Sequence, residues 1–296
     1  MDALYKHYDH RFVDPDPLEF VRRQTTDADR EVVGLIASSL AYGNVKQIKR
    51  SISRVVEVLG DRPAETIDRL EPEEARRRLG RFKHRFNDAR DVACLLYFIR
   101  QMREADGSVE AFYLRGGAHA PAADGDLAAG AEAALASFCE RALALDHGGL
   151  YGRRRLPSFA GVRFFFPSPR SGSACKRLNL YLRWMVRRES PDFGLWTAVS
   201  PARLLMPIDT HIENISRSIG LTRRRARTWR MAEEITGRLA AIDPTDPVKF
   251  DFALCHKRMS GDCLDRRDAK VCAPCGFKSV CLHWRGRGSP KRPHAR

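Results

Sequence analysis

The sequence predicts an all-α protein, and two observations carry that reading. Three stretches hold apolar residues at helical spacing, and no stretch shows the long alternation of a half-buried sheet. The first helix spans about residues 28 to 41, with Val32, Val33, Leu35, Ile36, Ala37 and Leu40 in period. Ala41-Tyr42-Gly43-Asn44 breaks it. A second helix aligns Val45, Ile48, Ile52, Val55, Val56 and Leu59 and ends at Gly60. Asp88 to Arg103 forms a third, with Val92, Leu95, Leu96 and Ile99. Residues 116–133, rich in Gly and Ala, read as a loop or a weakly ordered insertion, followed by a helix near 129–145. Tyr151 to Phe166 is basic and aromatic without a period, and Pro167-Ser168-Pro169 breaks the chain before the next helix.

The 296 residues suffice for two ordinary domains or one large one, and 43% hydrophobic residues can bury a core. The balance of 52 Lys+Arg against 37 Asp+Glu gives +15, which points to a polyanionic partner, nucleic acid first. A compositional habit of the source would account for the same arginine excess. The start, MDALYKHYDHRF, has no apolar signal core, and the longest apolar run, Val92 to Ile99, cannot span a bilayer. The expectation is a cytoplasmic protein without a membrane partner. The tail after Trp284, RGRGSPKRPHAR, has the composition of a disordered basic segment.

Cys263, Cys272, Cys275 and Cys281 are spaced C-x8-C-x2-C-x5-C, so four of the eight cysteines fall in one 19-residue stretch. In a reducing compartment such a group is a metal site before it is a disulfide framework. Structural zinc usually takes two C-x2-C knuckles, whereas here one pair has two longer, unequal arms. That asymmetry suits a 4Fe-4S cluster, with zinc as the alternative. Cys94, Cys139 and Cys175 are scattered and structural, while Cys255 competes as fourth ligand. Arg266, Arg267 and Lys270 lie between Cys263 and Cys272, where a metal would present them to phosphates. Arg223, Arg224, Arg225 and Arg227 form either a second phosphate-facing patch or a solvated helical face.

Two further segments carry chemistry. Ser171-Gly172-Ser173-Ala174-Cys175-Lys176 opens a helix running to about Arg187, with Ser173 as the expected N-cap and Lys176 in the first turn. The helix field there favours the neutral amine, the nucleophilic form, although a surface lysine tolerating a small penalty reads the same way. In Pro207-Ile208-Asp209-Thr210-His211-Ile212-Glu213, Thr210 and Glu213 spell a capping box. Thr210 as cap would free the Asp209 carboxylate. Asp209 as cap is the other reading. His211 receives no catalytic role.

Together these segments resemble the helix-hairpin-helix DNA glycosylase superfamily. Its endonuclease III and adenine-glycosylase branch carries an iron–sulfur cluster on C-x6-C-x2-C-x5-C. The resemblance runs, with gaps, from about residue 28 to 284, and an uncharacterised bacterial branch of the superfamily carries segments like CKRLNLYLRWMVR and PIDTH. The first cysteine gap is two residues longer here. The family's Leu-Pro-Gly-Val/Ile-Gly hairpin is replaced by Pro-Ser-Pro-Arg-Ser-Gly-Ser-Ala-Cys, in which Gly172 alone keeps a comparable place. The resemblance implies that Lys176 is the nucleophile at the sugar C1′. Asp209 would activate it and stabilise the cationic sugar. The target nucleotide would leave the stack to enter a pocket.

The expected architecture has two helical lobes. Residues 31–187 form a barrel lobe with an insertion at about 116–166, 1–30 with 188–285 form a cluster-bearing lobe, and 286–296 form the tail. The expected function is a DNA base-excision glycosylase, with AP lyase activity if Lys176 is the nucleophile. The expected partner is double-stranded DNA carrying a damaged or abasic nucleotide, bound by a monomer. A catalytically inactive nucleic-acid-binding protein on this scaffold, an iron–sulfur sensor, and RNA as the substrate are the competing expectations.

Overall fold

Caps at the ends and apolar stripes along the length account for the helices of the computed structural model, which describes residues 1–8, 16–117 and 127–286. Two short helices, α1 (Asp2–His7) and α2 (Leu18–Arg22), precede α3 (Asp27–Ser39). Thr26 opens α3 by accepting the Asp29 N–H at 3.1 Å. Asn44 caps α4 (Val45–Leu59), and Gly60 closes it at φ +70°. Both α5 (Pro63–Arg69) and α6 (Pro72–Leu79) begin with proline, whose missing N–H is harmless in a first turn. A two-residue turn joins β1 (Lys83–His84) to antiparallel β2 (Asn87–Asp88). Asp88 and Asp91 form a capping box at the start of α7 (Ala89–Asp106). Next come α8 (Val109–Leu114) and α9 (Leu127–Ala144), 3-10 turns at Gly161–Phe165 and Pro169–Ser171, and α10 (Lys176–Val186). The chain ends with α11 (Thr210–Ser218), α12 (Trp229–Ala240), α13 (Asp251–Met259), α14 (Ala269–Cys272) and α15 (Leu282–Arg285).

The fold is all-α, as the periodicity required, with four strand residues among those described. Residues 287–296 of the expected tail and 118–126 of the insertion lie outside the described residues, as do 9–15. The hydrophobic residues gather in two cores. The larger is built on α3, α7 and α10, through side chains such as Val33, Ile36, Leu95, Phe98, Tyr181 and Trp184. The smaller joins Met206 and Ile208 to α11, α12, α13 and Phe277. Successive residues of α13 serve both, Phe252 and Ala253 the larger, Leu254 the smaller.

The central helix pair is α3 on α10. A Cβ at Gly34 would stand 2.9 Å from Met185 Cε and 3.2 Å from Tyr181 Cε2, so the helices approach where α3 has no side chain. Buried charges anchor the far end of α10. Arg183 and Arg187 share Asp192, Arg183 also donates to Asp251, and Arg187 Nε donates to Asp246 at 2.8 Å. Fully paired charges of this kind are costly to break rather than large net stabilisers.

Two helix starts differ from the sequence reading. Cys175, in the left-handed region at φ +46°, precedes α10, so Ser173 is not its cap. The Ser173 hydroxyl instead accepts from Cys175 N at 3.2 Å, and its backbone bridges to Thr228. At α11 the cap is Asp209 and not Thr210. The extended backbone of Asp209 brings its Oδ1 to the Ile212 N–H at 2.8 Å. The Thr210 hydroxyl accepts from Arg227 Nη1.

Candidate active site

Lys176 is the first residue of α10, and its Nζ donates to the Ala41 carbonyl at 3.1 Å. That carbonyl belongs to the turn between α3 and α4, where Gly43 takes φ +100°. The contact brings together two segments 135 residues apart, at the edge of a cleft of about 1010 Å³. Elements of both cores line the cleft, and Lys176 and Asp209 are both among its lining residues. Among the described residues Lys176 makes no ion pair with Asp209 or any other carboxylate, and its amine is held by the Ala41 carbonyl.

An acidic group surrounds Cys255 in this cleft. Capping fixes the Asp209 carboxylate through Oδ1 and leaves Oδ2 3.8 Å from Cys255 Sγ. Burial pushes the Cys255 thiol well up, and the charges of Asp209, Asp251 and Asp16 push the same way, while Lys176 opposes them. Asp251 opens α13 and is buried against Arg183. Burial raises its carboxyl to about 6, Arg183 pulls it down and Asp209 adds to the rise. An amine, a capped carboxylate and a second carboxyl of raised affinity for protons therefore share one space. That set can supply a nucleophile, stabilise developing positive charge and exchange a proton near neutrality.

A basic and aromatic group surrounds Tyr42. Arg177, next to the lysine, lies 3.6 Å above the Phe164 ring and 5.1 Å from that of Tyr42. Arg85 and Arg163 line the same cleft. Neither Asp251 nor this group was singled out from the sequence. The one available signal was Arg183 and Arg187, spaced i, i+4 on a helix apolar enough to be buried, which called for acids elsewhere in the chain.

Gly172 and Arg224 line a second cleft, together with Arg170 and Arg225. Gly172 takes φ +80°, a conformation that favours glycine. Its N–H is spent on the Pro169 carbonyl at 2.7 Å and its carbonyl accepts from Trp229 N, so the turn is closed on itself. A 3-10 turn, Pro169–Ser171, leads into it. Arg224 is paired with Glu234 at 2.9 Å, and Arg223 is exposed beside it.

Cys263, Cys272, Cys275 and Cys281 line one small, largely enclosed cavity with Leu264, Phe277 and Trp284. Among the described residues no three His, Cys, Asp or Glu side chains stand at ready metal-binding spacing. All four cysteines face that one space, and the Asp268 N–H approaches Cys272 Sγ at 3.5 Å. Burial raises the Cys263 thiol, and Arg258 opposes that rise. Cys255 lines the main cleft and not this cavity. Arg266 lines the cysteine cavity, Arg267 stacks over Trp284 at 4.2 Å, and Lys270 is exposed on α14.

No curated protein and no solved structure matches the chain. One family model, described as a protein of unknown function (DUF2400), matches residues 16–260. The match covers the whole main cleft, with Lys176 and Asp209, and stops three residues before Cys263. Spanning well over half of the sequence, it shows that the chain belongs to the DUF2400 family.

Proposed function

We propose that this protein is a DNA glycosylase of two-lobed, endonuclease III-like architecture that removes a damaged base from double-stranded DNA. The observation that carries the reading is the meeting of Lys176 and Asp209 in one large cleft without an ion pair between them. The two cores, each contributing to that cleft, support the two-lobed part. No helix among the described residues is long and apolar enough to cross a membrane. The +15 charge favours a nucleic-acid partner met in the cytoplasm.

The chemistry follows from the groups present. The Lys176 amine, once it has given up a proton, forms a bond to C1′ while the C1′–N bond to the base breaks. The base leaves with that electron pair and takes up a proton, for which Asp251 is a nearby exchanger. Asp209 stabilises the positive charge that develops on the sugar. Loss of an amine proton and opening of the sugar ring give an imine, and removal of a C2′ proton then expels the 3′ phosphate. Cys263, Cys272, Cys275 and Cys281 would hold a 4Fe-4S cluster, or zinc, which pins the ends of the Arg266–Lys270 loop. The residues of that loop would meet phosphates, as would Arg223 and Arg224 beside the second cleft.

Borohydride trapping on duplexes with an abasic site or damaged bases tests this reading. The expected result is a covalent adduct with the intact protein that disappears in Lys176→Ala. Base release without an adduct, still dependent on Asp209, would indicate water as the nucleophile. Tight binding without either signal would favour a non-catalytic DNA-binding protein, a reading that the closed turn at Gly172 also admits. RNA duplexes in the same panel separate the two nucleic acids.

A further inference from the structure

The basic and aromatic group around Tyr42 has features that a purely structural cluster lacks. Arg177 is 8% exposed, yet its recorded bonds go to the backbone carbonyls of Ser39, at 3.1 Å, and Phe164. Among the described residues no carboxylate pairs with it. The neighbouring buried arginines, Arg183 and Arg187, each have two or more. A guanidinium buried without a counter-charge is destabilised, and here burial lowers its pKa to about 10. The missing anion can come from a ligand, since Arg177 lines the cleft.

The hairpin supplies a second, independent observation. Arg85 sits at φ +55° in the two-residue turn between β1 and β2, a strained place for a side chain of that size. A Cβ on Gly43 would lie 3.2 Å from Arg85 Cδ, so the arginine crosses the glycine turn toward the cleft. No ion pair among the described residues holds it there. Phe86, the other turn residue, is 53% exposed and stacks on Tyr42 with ring centres 5.6 Å apart and planes 27° apart. Phe164 meets Phe86 edge-on at 4.4 Å and also lies under Arg177. Tyr42 is itself fixed, donating its hydroxyl to Asn87 Oδ1 at 2.6 Å. An unpaired cation pair and an open aromatic face thus sit within one cluster.

We infer that Arg177 and Arg85 bind a phosphate, and that the exposed ring of Phe86, backed by Tyr42 and Phe164, stacks the aromatic heterocycle attached to it. The ligand class is a nucleotide. The inference rests on the proposed nucleic-acid function only for its source. In that setting the subsite holds a nucleotide beside the one that reacts at Lys176, while a free nucleoside monophosphate carries the same chemistry.

Calorimetric titration of the full chain tests it with four probes: a nucleoside monophosphate, the matching nucleoside, inorganic phosphate, and a short duplex with an abasic site. The monophosphate is expected to bind at least about tenfold more tightly than nucleoside or phosphate, because both halves of the subsite engage. Arg85→Ala is expected to weaken it about tenfold, leave the nucleoside unchanged and reduce the salt slope on the duplex by about one. Phe86→Ala is expected to weaken nucleoside and monophosphate alike. Both residues are exposed, so folding survives, and thermal unfolding confirms that. Monophosphate binding assigns the subsite to free nucleotides as well as strands. Binding of the duplex alone, weakened by both substitutions, assigns it to strands. Unchanged affinities in both variants, or no binding of any probe, overturn the subsite. Trapping at Lys176 that persists with unchanged affinities would overturn the subsite and leave the glycosylase intact. Arg85-dependent nucleotide binding without any trapping would do the reverse.

Discussion

The two ends of α10 carry arginine to opposite purposes. Near its C-terminus Arg183 and Arg187 are buried among Asp192, Asp246 and Asp251, with every charge answered inside the protein. At its N-terminus Lys176 and Arg177 face a cleft and bond to backbone carbonyls alone. One helix is therefore neutralised where it is anchored and left positive where it meets a ligand. The same residue type, at similar burial, marks structure or binding according to whether a carboxylate accompanies it.

Removing the shared acid should break the anchored end most severely. Asp192→Ala leaves two buried guanidinium groups short of a partner and is expected to cost about 3–5 kcal/mol, read from the denaturant midpoint at constant slope. Arg177→Met is expected to cost clearly less, since it removes a charge that nothing inside balances. Equal losses would erase the distinction between the two ends. At the open end, Asp209→Asn keeps an N-cap and removes a charge. Base release is expected to fall about 100-fold with stability nearly unchanged. Asp209→Ala should add about 1 kcal/mol of instability through the lost cap.

Much of this was legible in the sequence where a period existed. The helices α3, α4 and α7 declared themselves through apolar spacing, and Gly60 through its place after the last apolar residue of α4. Lys176 and Asp209 were singled out by resemblance, and both line one cleft. The α11 cap stayed open between Asp209 and Thr210 because they are adjacent capping residues and T-x-x-E favours Thr210. Only the extended backbone at Asp209 decides it. The left-handed Cys175 leaves no local signal, since a non-glycine residue there depends on its surroundings. Asp251 was invisible because its partner, Arg183, is 68 residues away. Phe164-Phe165-Phe166 showed no period because a short 3-10 turn sends Phe164 to the cleft and buries the other two.

Smaller effects sharpen the contrast. His84 holds the Arg85–Phe86 hairpin, with Nδ1 2.8 Å from Ser51 Oγ and Nε2 3.0 Å from the Tyr42 carbonyl oxygen. Burial lowers its pKa from the ordinary 6.5, with Arg85 and Arg177 adding to the fall. The unfolded chain then binds the proton more readily, so this contribution is complete above about pH 6.5 and fades as pH falls through the lowered value. Hydrogen-exchange protection at residues 83–88, taken relative to the intrinsic rate at each pH, is expected to fall on acidification, and His84→Gln should flatten that dependence. Cys272→Ser is expected to abolish any iron or zinc recovered with the protein while leaving α10 folded, checked by metal analysis and circular dichroism.

Gly34 gives the cleft a remote control. The hydrogen of a glycine lets α10 ride directly on α3, and the lysine at the head of α10 bonds to the carbonyl just past the end of α3. Gly34 lies about 10 Å along the helix from Ala41, outside the cleft. A methyl group there would displace Met185 Cε and press on the Tyr181 ring, and what the side chains do not absorb would shift α10 and the amine with it. Catalysis tolerates misplacement far less than folding does. Position 34 should therefore behave in a mutational survey as a setting screw for Lys176, silent in melting curves that leave the cores intact and plain in rates.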